Sequence, residues 1–208
     1  MRLKKIVSYD MGENCYIISD EKSGDTVIFD PGCEAEKVMQ YIDGENLNVK
    51  AILLTHGHYD HITACKELKE KYNVPVIAHE YEKEVVGSKG YNLSSRFMDP
   101  MTLSVDRSLK DNDEYEVGDM KIKVIHTPGH TPGGCCYYFV NEKVLISGDT
   151  LFQYSIGRTD FPGGDTVAMM ESLKKLFTQL DGDVVVYPGH GEKTTIEFER
   201  RNNPYADF

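Results

Sequence analysis

The sequence lacks features that would assign it to several classes of protein. No apolar run approaches the roughly 20 residues of a membrane-spanning helix, and the N-terminus has no apolar core of signal-peptide length. Acidic residues outnumber basic ones, 34 against 23, which gives a formal net charge of −11. Such an acidic chain is a poor partner for nucleic acid or an anionic membrane. We therefore expect a cytoplasmic protein that binds neither.

The cysteines show no recognisable pattern. There are five, an odd number, and no two form a Cys-x-x-Cys pair. A disulfide framework normally uses an even number of cysteines in a secreted chain. No cysteine stands beside an obvious base, which leaves a nucleophilic cysteine as the lesser alternative. We expect reduced thiols in the core, at Cys15, Cys33, Cys65, Cys135 and Cys136.

Histidine is concentrated in one short stretch. The pattern His56-x-His58-x-Asp60-His61 directly follows an apolar run over residues 49–54. Such a run predicts a buried strand, and α/β proteins bind ligands at the C-terminal ends of their strands. Imidazole is the commonest protein ligand for zinc and similar ions, and carboxylates complete such sites. The stretch therefore predicts a metal site, although Asp60 alone could instead cap a helix.

Three other predicted strands end in a similar way. Each is followed by a glycine-containing turn with a single ligand-type residue, namely His130, Asp149 and His190. Taken singly, Asp149 or His190 could equally serve the geometry of the turn. Together with the first cluster they supply five imidazoles and two carboxylates. That number exceeds what one tetrahedral ion uses and suits two ions that share a ligand.

Hydrophobic periodicity predicts short strands and amphipathic helices. The predicted strands are residues 3–8, 14–19, 26–30, 49–54, 75–78, 114–117, 121–126, 135–140, 144–147 and 184–187. The predicted helices are 34–43, 61–72, 80–86 and one capped by Asp165 or Thr166 with the apolar face Val167, Met170, Leu173, Phe177 and Leu180. Residues 87–111 are interpreted as a long loop beside the site. His79 has no companion ligand, which favours a surface or hydrogen-bonded histidine.

In this order the motifs closely resemble those of the metallo-beta-lactamase superfamily, and most of all its short glyoxalase II-like hydrolases. The resemblance extends over nearly the whole chain and includes Asp30-Pro31-Gly32 and residues 147–152. It implies an α/β (α+β) fold, a four-layer αββα sandwich of two mixed β-sheets flanked by helices. The chain has no repeat or linker, so we expect a single domain over residues 1–208.

The resemblance also implies a cofactor of two divalent metal ions, with zinc expected and iron or manganese as alternatives. It assigns His56, His58 and His130 to the first ion, Asp60, His61 and His190 to the second, and Asp149 to both as a bridge. Asp60 and Asp149 are the implied catalytic residues, because they would position the attacking hydroxide.

Two residues outside the ligand set have expected roles with open alternatives. Asp30 would orient a ligating histidine, or it would only close its turn. Arg158 would anchor a substrate carboxylate through its planar fork, or it would pair with Asp160 or Asp165. The glyoxalase II resemblance is incomplete here, because that enzyme has a lysine and a tyrosine where this chain has Arg158 and Asp160. The C-terminal helical extension that helps it hold glutathione is also missing.

The expected function is therefore a dinuclear hydrolase of small-molecule thioesters such as S-lactoylglutathione. An iron-dependent sulfur (persulfide) dioxygenase and a lactonase of the same fold remain alternatives, the first needing one iron on two histidines and one carboxylate. A non-catalytic metal-binding or redox module is disfavoured, because no flavin or iron–sulfur motif accompanies the ligands.

Overall fold

The first half of the chain forms a six-stranded mixed sheet. In the computed structural model, which describes residues 1–207, the strands in spatial order are β1 (Arg2–Val7), β2 (Asn14–Ser19), β3 (Asp25–Phe29), β4 (Asn48–Leu53), β5 (Val76–His79) and β6 (Arg107–Leu109). The first three strands are antiparallel, and β3 to β6 run parallel. Parallel neighbours need crossover connections, which helices provide between β3, β4 and β5.

The second half forms another six-stranded mixed sheet. Its strands are β7 (Glu114–Val117), β8 (Met120–His126), β9 (Cys135–Phe139), β10 (Val144–Gly148), β13 (Val185–Pro188) and β14 (Thr194–Thr195), while β11 (Leu151–Phe152) and β12 (Ser155–Ile156) form a separate hairpin. The spatial order is β14-β13-β10-β9-β8-β7. Strands β10 and β13 pair in parallel, and the other neighbours are antiparallel.

Helices cover the outer faces of both sheets. They are α1 (Ala35–Gly44), α2 (Cys65–Tyr72), α3 (Lys83–Gly87), α4 (Ser94–Phe97), α5 (Thr166–Gln179) and α6 (Ile196–Asn202), with 3₁₀ turns at Tyr59–His61 and Glu80–Glu82. Helices α1 and α2 pack on the first sheet, and α5 and α6 pack on the second.

Alternate residues of the inner strands face different cores. In β2, Ile17 packs towards α1 and α2, whereas Ile18 faces the second sheet. Between the sheets, the ring of Phe29 lies 5.2 Å from that of Tyr137. Burial on both faces explains why these strands are almost wholly apolar. The layer order of helix, sheet, sheet and helix confirms the predicted αββα sandwich of two mixed sheets.

Several elements differ from their prediction, and α6 and the short strands β11, β12 and β14 were not predicted. Helix α2 starts at Cys65 rather than at residue 61, because residues 59–61 form a 3₁₀ turn that carries two of the candidate ligands. Residues 87–111 contain α4 and β6, which local periodicity is too short to reveal. In α5, Val167 is 70% exposed, and the buried stripe instead includes Met169, Leu173 and Leu176. Asp165 caps this helix, as one of the two predicted alternatives, through bonds from the Val167 and Ala168 amides.

All five cysteines are buried and unpaired in the structure. Among residues 1–207, none of the helices combines the length and the apolar character that crossing a membrane requires. The loops after β4, β8, β10 and β13 meet at one edge of the sandwich, where the candidate ligands lie.

Candidate metal centre

One group of potential ligands consists of three buried histidines. His56 and His58 follow β4, and His130 lies in the loop between β8 and β9. Their ring centroids are 4.6 to 4.9 Å apart, and one nitrogen of each lies within 4.8 Å of the others. Three imidazole nitrogens at this spacing match the protein ligands of a catalytic zinc site.

A second group lies beside the first and contains Asp60, His61 and His190, again with donor atoms within 4.8 Å of one another. Asp60 Oδ2 lies 3.4 Å from His190 Nε2 and 4.0 Å from His61 Nε2. Asp60 and His61 belong to the 3₁₀ turn, whereas His190 follows β13. The two sheets therefore contribute to this group jointly, as they do to the first.

Asp149 lies between the two groups. Its Oδ2 is 3.5 Å from His130 Nε2, and its Oδ1 is 3.5 Å from His61 Nε2. Its Oδ2 is also 3.7 Å from His190 Nε2. Gly189 makes this packing possible, because a Cβ there would collide with Asp149 Oδ1 and the His61 ring. The carboxylate thus faces both groups, as a bridging ligand must.

Several donor atoms of the two groups are buried without a hydrogen-bond partner within residues 1–207, namely His56 Nε2, His61 Nε2 and Asp149 Oδ1, while His58 Nδ1 lies 2.9 Å from His130 Nε2. Leaving such an atom unsatisfied costs about 1–3 kcal/mol. A cation would satisfy several of them at once, since they converge on the same space. The chemistry and arrangement of the donors fit two divalent metal ions.

Three ring nitrogens that face away from this space lie close to polar atoms of the protein. His61 Nδ1 lies 3.2 Å from Asp30 Oδ2, and His130 Nδ1 lies 2.7 Å from the carbonyl oxygen of Arg158. His56 Nδ1 lies 3.2 Å from Thr55 Oγ1, and that hydroxyl in turn donates to Asp30 at 2.6 Å. Such partners fix the tautomer and ring orientation of a ligating histidine.

The pKa values of the histidines differ between the first and the second ligand group. Burial, and then the neighbouring imidazoles, lowers the pKa of His56 and His58 well below its ordinary value. Burial also acts to lower the pKa of His61, but the carboxylates of Asp149, Asp60 and Asp30 raise it more. Without metal, His56 and His58 are therefore neutral. His61 is protonated, because the nearby carboxylates stabilise its positive charge.

A cavity of about 420 Å³ opens on the two groups. Apart from the candidate ligands and Arg158, its walls are formed by Tyr59, Leu93, Phe97, Phe152, Ile156 and Phe161. Leu93 and Phe97 come from the segment predicted to border the site. Arg158 lies at the mouth, where its Nε and Nη2 donate to Asp160 at 2.6 and 2.7 Å and its guanidinium lies 3.9 Å from the Phe161 ring centroid. The predicted alternative of an ion pair with Asp160 is thus present.

His79 lies outside both groups. It is 1% exposed, it stacks on His126 at 3.9 Å between ring centroids, and its Nδ1 accepts from the Tyr81 amide. It is a hydrogen-bonded histidine rather than a surface one.

Sequence reasoning missed two buried carboxyl groups near the site, Glu13 and Glu82. Glu13 has no hydrogen-bond partner for either oxygen within the described chain, and burial raises its pKa well above the ordinary value. Burial raises the pKa of Glu82 to about 7, against the opposing effect of three hydrogen bonds. Neither residue belongs to a motif, and both are brought to the site by residues distant in sequence, so no local signal marks them.

Comparison with known proteins agrees with this geometry. The family model of the metallo-beta-lactamase superfamily matches residues 9–190. The chain belongs to the metallo-beta-lactamase superfamily. Within it, the chain is 37% identical to hydroxyacylglutathione hydrolase GloC of Haemophilus influenzae, over 94% of this chain and 93% of that protein. It is also 37% identical to a probable metallo-hydrolase of Bacillus subtilis, over 92% and 90% of the two chains.

Solved structures of the superfamily superpose closely. The B3 metallo-beta-lactamase BLEG-1 is 37% identical, with a TM-score of 0.93 and full coverage of both chains. A protein crystallised in a di-iron-bound form is 34% identical, with a TM-score of 0.85 over 97% of this chain and 99% of that one. ETHE1 from Myxococcus xanthus is 28% identical, with a TM-score of 0.82 over 99% and 85%. The chain is thus a metal-binding hydrolase of this superfamily.

Proposed function

We propose that the chain is a dinuclear metal-dependent thioesterase of the hydroxyacylglutathione hydrolase type. The observation that carries the proposal is the position of Asp149 between two histidine-rich groups at the base of the cavity. Its similarity to hydroxyacylglutathione hydrolase GloC supports the choice of a thioester.

The proposed ligands are His56, His58 and His130 for one ion and Asp60, His61 and His190 for the other, with Asp149 shared. Bound divalent ions, zinc in our proposal, would lower the pKa of a coordinated water from about 15.7 to about 7 and polarise the substrate carbonyl.

The protein residues hold these groups and shape the substrate site. Asp149 fixes the separation of the two groups, and the apolar side chains of Phe152, Ile156 and Phe161 hold the acyl chain away from bulk water. A thiol leaves readily as its thiolate, because its pKa is about 8.5, so no side chain is needed to protonate it. This suits a site whose nearest carboxylates, Asp60 and Asp149, would already be ligands.

Arg158 is the proposed anchor for a carboxylate of the substrate. Its ion pair with Asp160 is weak, since both side chains are more than half exposed. The substrate carboxylate would replace Asp160 on the planar guanidinium, which Phe161 keeps at the mouth of the cavity.

A second candidate, the iron-dependent persulfide dioxygenase, is favoured by the similarity to ETHE1 from Myxococcus xanthus. It would use one iron held by two histidines and one carboxylate. The similarity to a B3 metallo-beta-lactamase adds a β-lactam to the substrates to be compared.

The test is a substrate comparison on purified protein of known metal content. S-lactoylglutathione, a lactone and a β-lactam would be assayed for hydrolysis, and glutathione persulfide for oxygen uptake. We expect the thioester to have the highest kcat/KM, and Arg158→Met to raise the KM for it with little change in kcat. Oxygen uptake with persulfide, in a protein that holds one iron and leaves the thioester intact, would overturn the proposal.

A further inference from the structure

Glu82 is a carboxylate in an environment without a cation. It ends the 3₁₀ turn after β5, its side chain has no exposed surface, and no cationic side chain within residues 1–207 acts on it. Its Oε1 accepts a hydrogen bond from the Gly57 amide at 2.8 Å, and its Oε2 accepts one from Thr131 Oγ1 at 3.0 Å. The Gly133 amide, in the same loop as Thr131, is a third donor to this carboxyl group.

The partners of Glu82 lie next to candidate ligands. Gly57 stands between His56 and His58, and Thr131 directly follows His130. These are the two loops that deliver the first histidine group, one from each sheet. A bond from the Cys135 amide to the Thr55 carbonyl, at 2.9 Å, also joins the loops, but both of its residues lie outside the ligand segments.

The backbone around Glu82 is shaped for this contact. A Cβ at Gly57 would collide with Val86, and a Cβ at Gly133 would collide with the amide and Oε2 of Glu82. Both loops therefore approach the turn more closely than a residue with a side chain would allow.

Burial of a carboxylate without a cation is unfavourable, and a well-packed apolar side chain generally serves stability better. A glutamine would offer one acceptor and one donor, whereas the Gly57 and Gly133 amides and the Thr131 hydroxyl all donate. The donors of the two loops that it joins thus explain the choice of glutamate better than packing does.

We propose that Glu82 is a positioning residue that holds the His56–His58 loop and the His130 loop at the spacing that a single ion requires, and so sets the affinity of the first metal site. It acts without contact with metal or substrate. The inference rests on the proposed dinuclear centre.

The test is a zinc titration of the metal-free protein in competition with a chromogenic chelator. His56→Ala identifies the binding step of the first site and His190→Ala that of the second. We expect Glu82→Gln to weaken the first step by about 10–100-fold, the range typical of residues that orient ligands, and to leave the second step unchanged.

A matched variant acts on the other site. Asn14 Nδ2 donates to the carbonyl oxygens of Pro188 and Gly191, which flank His190, at 2.9 and 3.0 Å. Asn14→Ala should weaken the second step and leave the first unchanged, so the two variants form opposite patterns. Thr131→Val, which removes one donor to Glu82 with little change in shape, should weaken the first step by a smaller factor than Glu82→Gln and serves if that variant fails to fold.

The outcomes are distinct. Equal weakening of both steps by Glu82→Gln, or no weakening of the first, overturns the role of Glu82. If the unaltered protein shows a single binding step, the dinuclear function is overturned. The role of Glu82 then stands only if His56→Ala removes that step and Glu82→Gln weakens it. If the unaltered protein binds no zinc, both proposals are overturned.

Discussion

Asp30 Oδ2 lies 3.2 Å from His61 Nδ1, so a buried carboxylate faces the side of the imidazole opposite the metal groups. The same carboxylate accepts the amide of Thr55 at 2.7 Å and its hydroxyl at 2.6 Å. It therefore connects the end of β3 to the start of the ligand loop after β4. The backbone of Asp30 has a φ of 45°, a conformation that aspartate and asparagine tolerate better than most residues.

Asp30→Asn should lower the affinity of the second metal site by about 10–100-fold. Asparagine keeps the backbone preference but places an amide where His61 Nδ1 and the Thr55 hydroxyl need an acceptor. The measurement is chelator competition on the purified variant. Asp181→Asn is the control. Asp181 is exposed and lies before the N-terminal end of β13, whereas His190 follows its C-terminal end. Equal affinities for the two variants would show that Asp30 only closes its turn.

His130→Ala should lose metal and activity, whereas His79→Ala should keep both. We expect the loss of activity at His130 to equal or exceed roughly 10–100-fold, since even residues that only orient ligands have effects of that size. His79→Ala should instead lower the melting temperature, because it leaves a space where the buried His79 ring stacks on His126. Activity, metal content and thermal unfolding are measured on both proteins, and equal losses of metal would contradict the proposed ligand set.

The sequence was most informative where local chemistry decides the structure. Strand β2 has the predicted bounds, because its apolar run is bordered by turn residues on both sides. The convergence of His130, Asp149 and His190 could be anticipated because glycine turns at strand ends recur in the sequence. Val167 was wrongly assigned to the buried face of α5. The apolar residues of this helix are compatible with more than one buried face, and contacts with the second sheet decide which face is buried.

Tertiary contacts hide the remaining features from sequence reasoning. Strand β6 has three residues and is defined by its parallel pairing with β5. Glu82 reads locally as one more polar residue of a short helix, and its partners lie 25 and 49 positions away. The Asp160 partner of Arg158 could be named beforehand, because it is only two residues distant.

Metal removal should abolish activity reversibly. Treatment with a chelator leaves the buried donors without a cation, and zinc, manganese or iron should each restore activity to a different degree. Elemental analysis before treatment should give two metal ions per chain. One equivalent or fewer, after growth in zinc- or iron-supplemented medium, would count against a dinuclear centre.

Glu82 should make the metal-free protein less stable as the pH rises. Its pKa is about 7 in the folded state against an ordinary value of 4.5, so the folded protein holds a proton that the unfolded chain releases first. The resulting loss of folding stability is absent below pH 4.5. It grows as the pH rises and is complete above about pH 7. At about 1.4 kcal/mol per pH unit it amounts to about 3 kcal/mol.

The measurement is the free energy of unfolding between pH 5 and 8, with chelator present, for the unaltered protein and Glu82→Gln. Subtracting the two curves removes the contributions of His61 and the other titrating groups that they share. As the pH rises, the free energy of unfolding of Glu82→Gln should increase relative to that of the unaltered protein. A difference between the two proteins that does not depend on pH would contradict the raised pKa of Glu82.

The bridging position of Asp149 is the central claim, and Asp149→Ala tests it most directly. Asp165→Ala is the control, because Asp165 is also a turn aspartate but only caps α5, where its loss costs about 1 kcal/mol. Bound metal, thioester hydrolysis and circular dichroism are measured on the same preparations. We predict that Asp149→Ala loses metal and turnover while its helix and strand content survives, and that Asp165→Ala keeps all three. Two bound metal ions and near-normal hydrolysis in Asp149→Ala would contradict the dinuclear account.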